Sequence, residues 1–187
     1  ERTSSGMVYV GQSPEQNRMN RINKLKSFLL SLIEEEFELS FRTQNCLNKT
    51  GIKLVGQLVQ KSACELLNLK NFGRTSLQDI EEDLKIKNLS LDMTLNFFPW
   101  DGTAEGSELI QILSLQKPGG GFLMDNQAAR ILNIDLNEIN QPVSKKKQSL
   151  LHTKYLLNHL ESKFQKDVPY LSALLKFHRQ WLEGASK

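Results

Sequence analysis

Residues 41–84 read FRTQNCLNKTGIKLVGQLVQKSACELLNLKNFGRTSLQDIEEDL, a run of short helical pieces punctuated by turns. Arg42 to Lys49 predicts one short helix. Apolar residues at 52, 54, 55, 58 and 59 predict a second over Lys53 to Gln60, begun after Gly51. In SACELLNL, Ser62 stands at a helix N-cap with Glu65 three residues on, the pattern in which each side chain satisfies a backbone N–H of the other. Asn71-Phe72-Gly73 predicts a tight turn into a further helix, Ser76 to Leu84, with Leu77, Ile80 and Leu84 at helical spacing.

Outward from this block the pattern stays helical. Upstream, Phe37 to Phe41 alternates polar and apolar and reads as an extended lead-in behind the acidic run EEEFE. Before it, apolar residues at 19, 22, 25, 29 and 32 or 33 predict an amphipathic helix after Pro14, and the Ser/Gly-rich residues 1–14 read as a mobile end. The chain begins at Glu1 rather than methionine, which reads as a fragment or a trimmed product, with ERTSSG as linker-like sequence. Downstream, FFPWDGTAEG reads as a domain edge. Helices are expected over Ser107 to Leu115, Asn126 to Leu132, Gln148 to Phe164 and Pro169 to Glu183.

The 187 residues, 39% of them apolar, suffice for one large domain or two small ones. Nothing approaches a membrane span or a signal peptide, so a cytoplasmic protein is expected. Cys46, Cys64 and the three histidines show no metal-ligand spacing, and both cysteines read as free thiols of the small buried kind. Charge is uneven: five basic and two acidic residues in 1–33, ten and sixteen in 34–140, nine and three in 141–187. An anionic partner would therefore be met by local sites or by the C-terminal segment.

The acidic lead-in, RTQNC and NFGRTSLQDI together make Glu34 to Phe98 resemble the C-terminal domain of the bacterial RNA polymerase α subunit, whose matching motifs read RSANC and NLGKKSLTEI. The resemblance implies a helix-hairpin-helix-like fold that binds the minor groove of A·T-rich DNA and contacts transcription proteins including σ factor. It implies DNA contacts from Arg42, Asn45, Cys46, Gly73, Arg74, Thr75, Ser76 and Asp79, and partner contacts from Glu36 and Glu38. Asn48, Thr75 and Asp79 depart from the family's lysine, lysine and glutamate, and Asp92 replaces the glycine of its SLGM. The physical reading agrees with those roles. A guanidinium suits the negative potential of a narrow A·T minor groove, and a helix N-terminus behind Gly73, with the Ser76 hydroxyl, suits a phosphate.

Other features carry less. KPGGGF, Lys117 to Phe122, lacks the ending of a phosphate loop and reads as a plain turn. DNQAARILNIDLNEI reads as simple packing in preference to a helix-turn-helix, since Pro142 would cut short the helix capped at Asp135. Lys145 to Lys147 with Lys154, Lys163 and Lys166 form either a phosphate track or a basic linker. His152 and His159 read as surface histidines. Leu174, Phe177 and Trp181 form an apolar stripe for a core or an interface. The expectation is an all-α protein with an N-terminal arm (1–33), a DNA-binding module (34–98) and a helical C-terminal domain (107–187). No catalytic group, cofactor or metal is expected. The partners expected are A·T-rich duplex DNA and RNA polymerase, σ factor or another transcription protein in the nucleoid, and the alternative is a protein-interaction scaffold that keeps the fold without binding DNA.

Overall fold

The structure is a computed structural model and describes residues 13–131, 144–164 and 168–185. The expectations for residues 1–12, for Leu132, Asp135 and Pro142, for most of the linker before Ser144 and for Lys166 lie outside the described residues.

The described residues are all-α, with two isolated antiparallel bridges, Leu32 to Leu54 and Gln116 to Phe122, in place of a sheet. The helices are α1 (Pro14–Leu29), α2 (Ile33–Glu36), α3 (Phe41–Lys49), α4 (Val55–Val59), α5 (Ala63–Leu67), α6 (Arg74–Ile86), α7 (Ala104–Leu113), α8 (Asn126–Ile131), α9 (Lys145–Phe164) and α10 (Ser172–Ala185). A 3-10 turn, Pro169–Leu171, precedes the last.

Their starts are set by local chemistry. Ser13, Ser40, Ser62 and Thr103 each accept a first-turn N–H on the side-chain oxygen, filling one of the donors a helix leaves open. At Ser62 the exchange is reciprocal: its Oγ accepts from Glu65 N at 3.2 Å, and Glu65 Oε2 accepts from Ser62 N at 2.8 Å. The hydrogen bond from the Ser62 backbone and that from Lys61 lower the exposed Glu65 carboxyl to about 2. Helix α4 lacks a capping hydroxyl. Gln57 reaches back instead, its Oε1 accepting from Lys53 N and Leu54 N at 2.9 and 3.0 Å.

Two apolar cores result. One gathers Leu29, Ile33, Phe37, Leu47, Val55, Leu58, Leu66, Ile80 and Leu84, reaching to Leu95. The other is built from α7, α9 and α10 with Phe122 and Met124, and also takes in Leu30, Leu32 and Leu54. The segment Leu29–Ile33 thus faces both ways, with Leu29 and Ile33 on one core and Leu30 and Leu32 on the other. Trp100 packs against both cores and lies so close to Gly56 that a Cβ there would stand 2.3 Å from its ring. The FFPWDG stretch, expected to mark an edge, is therefore where the cores meet.

Several expectations change. The α1 stripe is exposed at Met19 (53%), Ile22 and Leu25, and the helix buries Leu29 at its C-terminal end. Cys46 is buried, but Cys64 is exposed because the face of α5 that turns inward carries Leu66. His152 is buried, not superficial: its Nδ1 accepts from Met124 N at 3.1 Å, and burial lowers its pKa. On α10 the inward positions are Leu175 and His178, while Phe177 remains 44% exposed. Lys117–Phe122 is indeed a turn, with positive φ at Gly119, Gly120 and Gly121, and its last two glycines lie under the Trp181 ring.

Candidate nucleic-acid interface

Helix α3 presents Arg42, Asn45 and Lys49 at positions i, i+3 and i+7, one face of a 3.6-residue helix. Thr43, Cys46 and Leu47 point the other way and are buried. Cys46 lies at a polar edge of the core, with Sγ 3.4 Å from the Lys70 carbonyl. It anchors α3 to the turn before α6.

That turn brings the second half of the site to the first. The left-handed backbone is at Asn71, with φ 67°, a conformation asparagine tolerates. Gly73, the last residue of the expected turn, has extended φ of −127° and open space around a hypothetical Cβ. It serves instead as the N-cap of α6. With no side chain to fold back, it leaves the first-turn N–H groups uncapped, and the first turn of α6 contains no acidic residue. Asp92, where the resemblance implied a glycine, likewise adopts φ 61°, and its N–H is bonded to the Lys61 carbonyl at 3.0 Å. Aspartate tolerates that conformation, so the departure leaves the loop intact.

Three hydroxyls lock α3 to α6. Ser40 Oγ lies 2.9 Å from Thr43 Oγ1, and Thr43 Oγ1 donates to Ser76 Oγ at 2.8 Å. Since the Thr43 proton goes to Ser76, Ser40 supplies the proton of the first bond, and the Ser76 O–H can still donate outward. Ser76 is legible in the motif, whereas Thr43, a buried polar residue, carries no signature in the sequence.

Between α3 and the turn lies an open cleft of about 670 Å³, lined by Phe41, Arg42, Asn45, Cys46, Lys49, Thr50, Lys70 and Asn71. It holds three cationic side chains and no carboxylate, within the part of the sequence whose charge is otherwise acidic. Arg42 is exposed; its Nε donates to the Asn71 carbonyl at 3.3 Å, and among the described residues it forms no ion pair. Asn45 is half-buried, and its amide has no hydrogen-bond partner among the described residues. Lys49 and Lys70 were not singled out from the sequence, because nothing in a lone exposed lysine shows that a fold will gather it to an arginine.

The remaining expected site residues are divided. Arg74, Thr75 and Asp79 are exposed on the first two turns of α6 and do not line the cleft, whose lining ends at Asn71. Glu38 is exposed in the lead-in, whereas Glu36 is half-buried in a separate groove with Lys24, Phe28, Tyr170 and Ala173. Glu34 accepts a short hydrogen bond from Asn48 Nδ2, and Glu35 Oε1 accepts from Gly119 N at 2.8 Å. The EEE run is thus partly engaged by the protein itself.

Residues 20–86 match the family of C-terminal domains of the bacterial RNA polymerase alpha chain, so this stretch is a domain of that family. The match opens inside α1 and closes at the end of α6. Similar proteins include the DNA-directed RNA polymerase subunit alpha of Syntrophus aciditrophicus, 42% identical over 99 residues, covering 53% of this chain and 28% of that one. The subunit of the same name from Pelobacter propionicus is 43% identical over 88 residues, 47% of this chain and 25% of that one. That of Geobacter metallireducens is 48% identical over 65 residues, 35% and 19%. The protein therefore spans little more than a quarter of the length of these relatives at most.

Proposed function

We propose that the α3–α6 face binds duplex DNA through the minor groove of A·T-rich sequence, as a DNA-docking module associated with RNA polymerase. The observation that carries this reading is the cleft itself, where Arg42, Lys49 and Lys70 gather without a carboxylate beside the uncapped N-terminus of a 13-residue helix. Arg42 enters the groove, where converging phosphates strengthen the negative potential and the base edges present acceptors. Asn45 and the outward Ser76 hydroxyl donate to the flanking backbone. The N–H groups of Arg74 and Thr75 take a phosphate, favoured by the helix dipole. One module touches few phosphates, so binding is weak and salt-sensitive.

Titration of the whole protein with A·T-rich and G·C-rich duplexes at low salt tests the reading. Arg42→Ala should weaken A·T-rich binding by ~1–3 kcal/mol, the usual worth of a groove-reading arginine, and narrow the preference. Equal affinity of mutant and wild type for the A·T-rich duplex would reject the role. Glu38, exposed in the lead-in, is proposed to meet a polymerase-associated protein such as σ factor. Glu36, lying in its groove, is proposed to contribute less to that contact.

A further inference from the structure

A second basic cleft adjoins the first and is completed by the C-terminal helical region. Its volume is about 400 Å³, and Asn45, Asn48, Lys49, Lys53, Gln116 and Lys117 line it, together with the Glu34 carboxylate. Asn45 and Lys49 also line the Arg42 cleft, so the two clefts share a wall on α3. We propose that this cleft carries the DNA backbone onward from the Arg42 groove contact, with Lys49, Lys53 and Lys117 each neutralising a phosphate. The proposal rests on the DNA-binding reading above and extends its footprint beyond the residues of the family match.

Three features support it. First, none of the three lysines forms an ion pair among the described residues, so their charge is available to an outside anion. Three ammonium groups face one carboxylate, and that carboxylate already accepts from Asn48. Second, Lys117 is held in place although it lies far away in sequence. Lys117 N donates to the Gly121 carbonyl and Gly120 N to the Lys117 carbonyl, both at 3.0 Å. The turn between them is pinned at one end by Glu35, which accepts from Gly119 N at 2.8 Å, and at the other by His178, which accepts from Gly121 N at 3.0 Å. Third, Arg42 to Lys49 spans seven residues of α3, roughly 10 Å at 1.5 Å per residue. Successive phosphates of a strand advance about 3.4 Å along the duplex, so the span from Arg42 to Lys49 matches about three phosphate steps.

The test is the salt dependence of binding by the whole protein to one A·T-rich duplex. A protein loses about 0.9 of log–log slope for each phosphate contact removed. Lys53→Gln with Lys117→Gln should therefore lower the slope by roughly 1–2 and weaken low-salt binding, while the preference for A·T-rich over G·C-rich duplex stays as it was. Glu34→Gln, which keeps an oxygen for Asn48 and removes the negative charge, should strengthen binding. Slope and affinity unchanged in the double variant, while Arg42→Ala still weakens binding, would overturn this extension and leave the groove reading standing. Loss of the A·T preference in the double variant would also overturn it, since phosphate contacts carry no base information. An Arg42→Ala variant with wild-type affinity would fail the groove reading itself, whatever the lysines do.

Discussion

A methyl group added at Gly73 would meet nothing within 4 Å, and the backbone there is extended. Gly73→Ala should accordingly cost less than about 1 kcal/mol in a denaturant melt, the difference between glycine and alanine at an N-cap. Yet the same methyl would stand where a phosphate approaches the α6 amides, so DNA affinity should fall while stability holds. A melt and a binding curve on the same sample separate the two effects. His178 makes the opposite point: it is only 1% exposed, yet it fixes the Lys117 turn. Its Nδ1 accepts from Gly121 N and its Nε2 lies 2.9 Å from Gln116 Oε1, so the neutral ring is the form that fits, and burial pushes its pKa down to about 4. The unfolded state then takes up a proton between about 6.5 and 4 that the folded state refuses. His178 thus leaves stability at its full value above pH 6.5 and removes up to roughly 3 kcal/mol as pH falls to 4. Chemical denaturation across pH 4–7.5 should show that decline, and His178→Gln should flatten it. Equal slopes in the two proteins would contradict the assignment.

At the scale of elements, the orientation of α3 against α6 determines whether Arg42 and the uncapped amides face one duplex. The Ser40–Thr43–Ser76 run of hydroxyls ties them, and Thr43 is buried. Thr43→Val keeps the shape but leaves Ser76 without its partner, so unfolding free energy should drop by about 1–2 kcal/mol in a urea titration. Ser62→Ala should cost about 1 kcal/mol through the lost cap of α5. Caps of this kind were legible from the sequence because they depend on residues three apart: the Ser62–Glu65 pair and the positions of α3, α4 and α6 follow from local spacing alone. The positive φ at Asn71 was not legible, since Asn71 and Gly73 can each take the left-handed place in a turn and only the packing of α5 on α6 decides which. Lys70 and Lys49 were invisible for the same reason, because their role comes from a long-range approach of α3 to a distant turn.

At the scale of the molecule, Leu29–Ile33 and Trp100 join the two cores. Helical periodicity puts Leu29 and Leu32 or Ile33 on one stripe. The α-helix, however, ends at Leu29, and the bridge of Leu32 to Leu54 then sends alternate residues to opposite sides. The burial of His152 and the exposure of Phe177 were hidden likewise, since the Lys117–Met124 segment that covers His152 and His178 has no periodic signature. Gly56→Ala would drive a Cβ into Trp100 and to 2.9 Å from the Leu29 carbonyl. Overpacking of that sort costs typically 1–3 kcal/mol, and here it should lower the stability of both cores together, seen as one shifted transition by tryptophan fluorescence and by circular dichroism.

Backbone amide NMR during titration with an A·T-rich duplex at low salt shows whether the protein meets DNA at the α3–α6 cleft. The perturbed amides should concentrate in residues 41–50 and 70–76, with a second group at 53 and 117. Perturbation confined to the acidic lead-in or to the 174–181 stripe, or none at all, would contradict contact at the cleft.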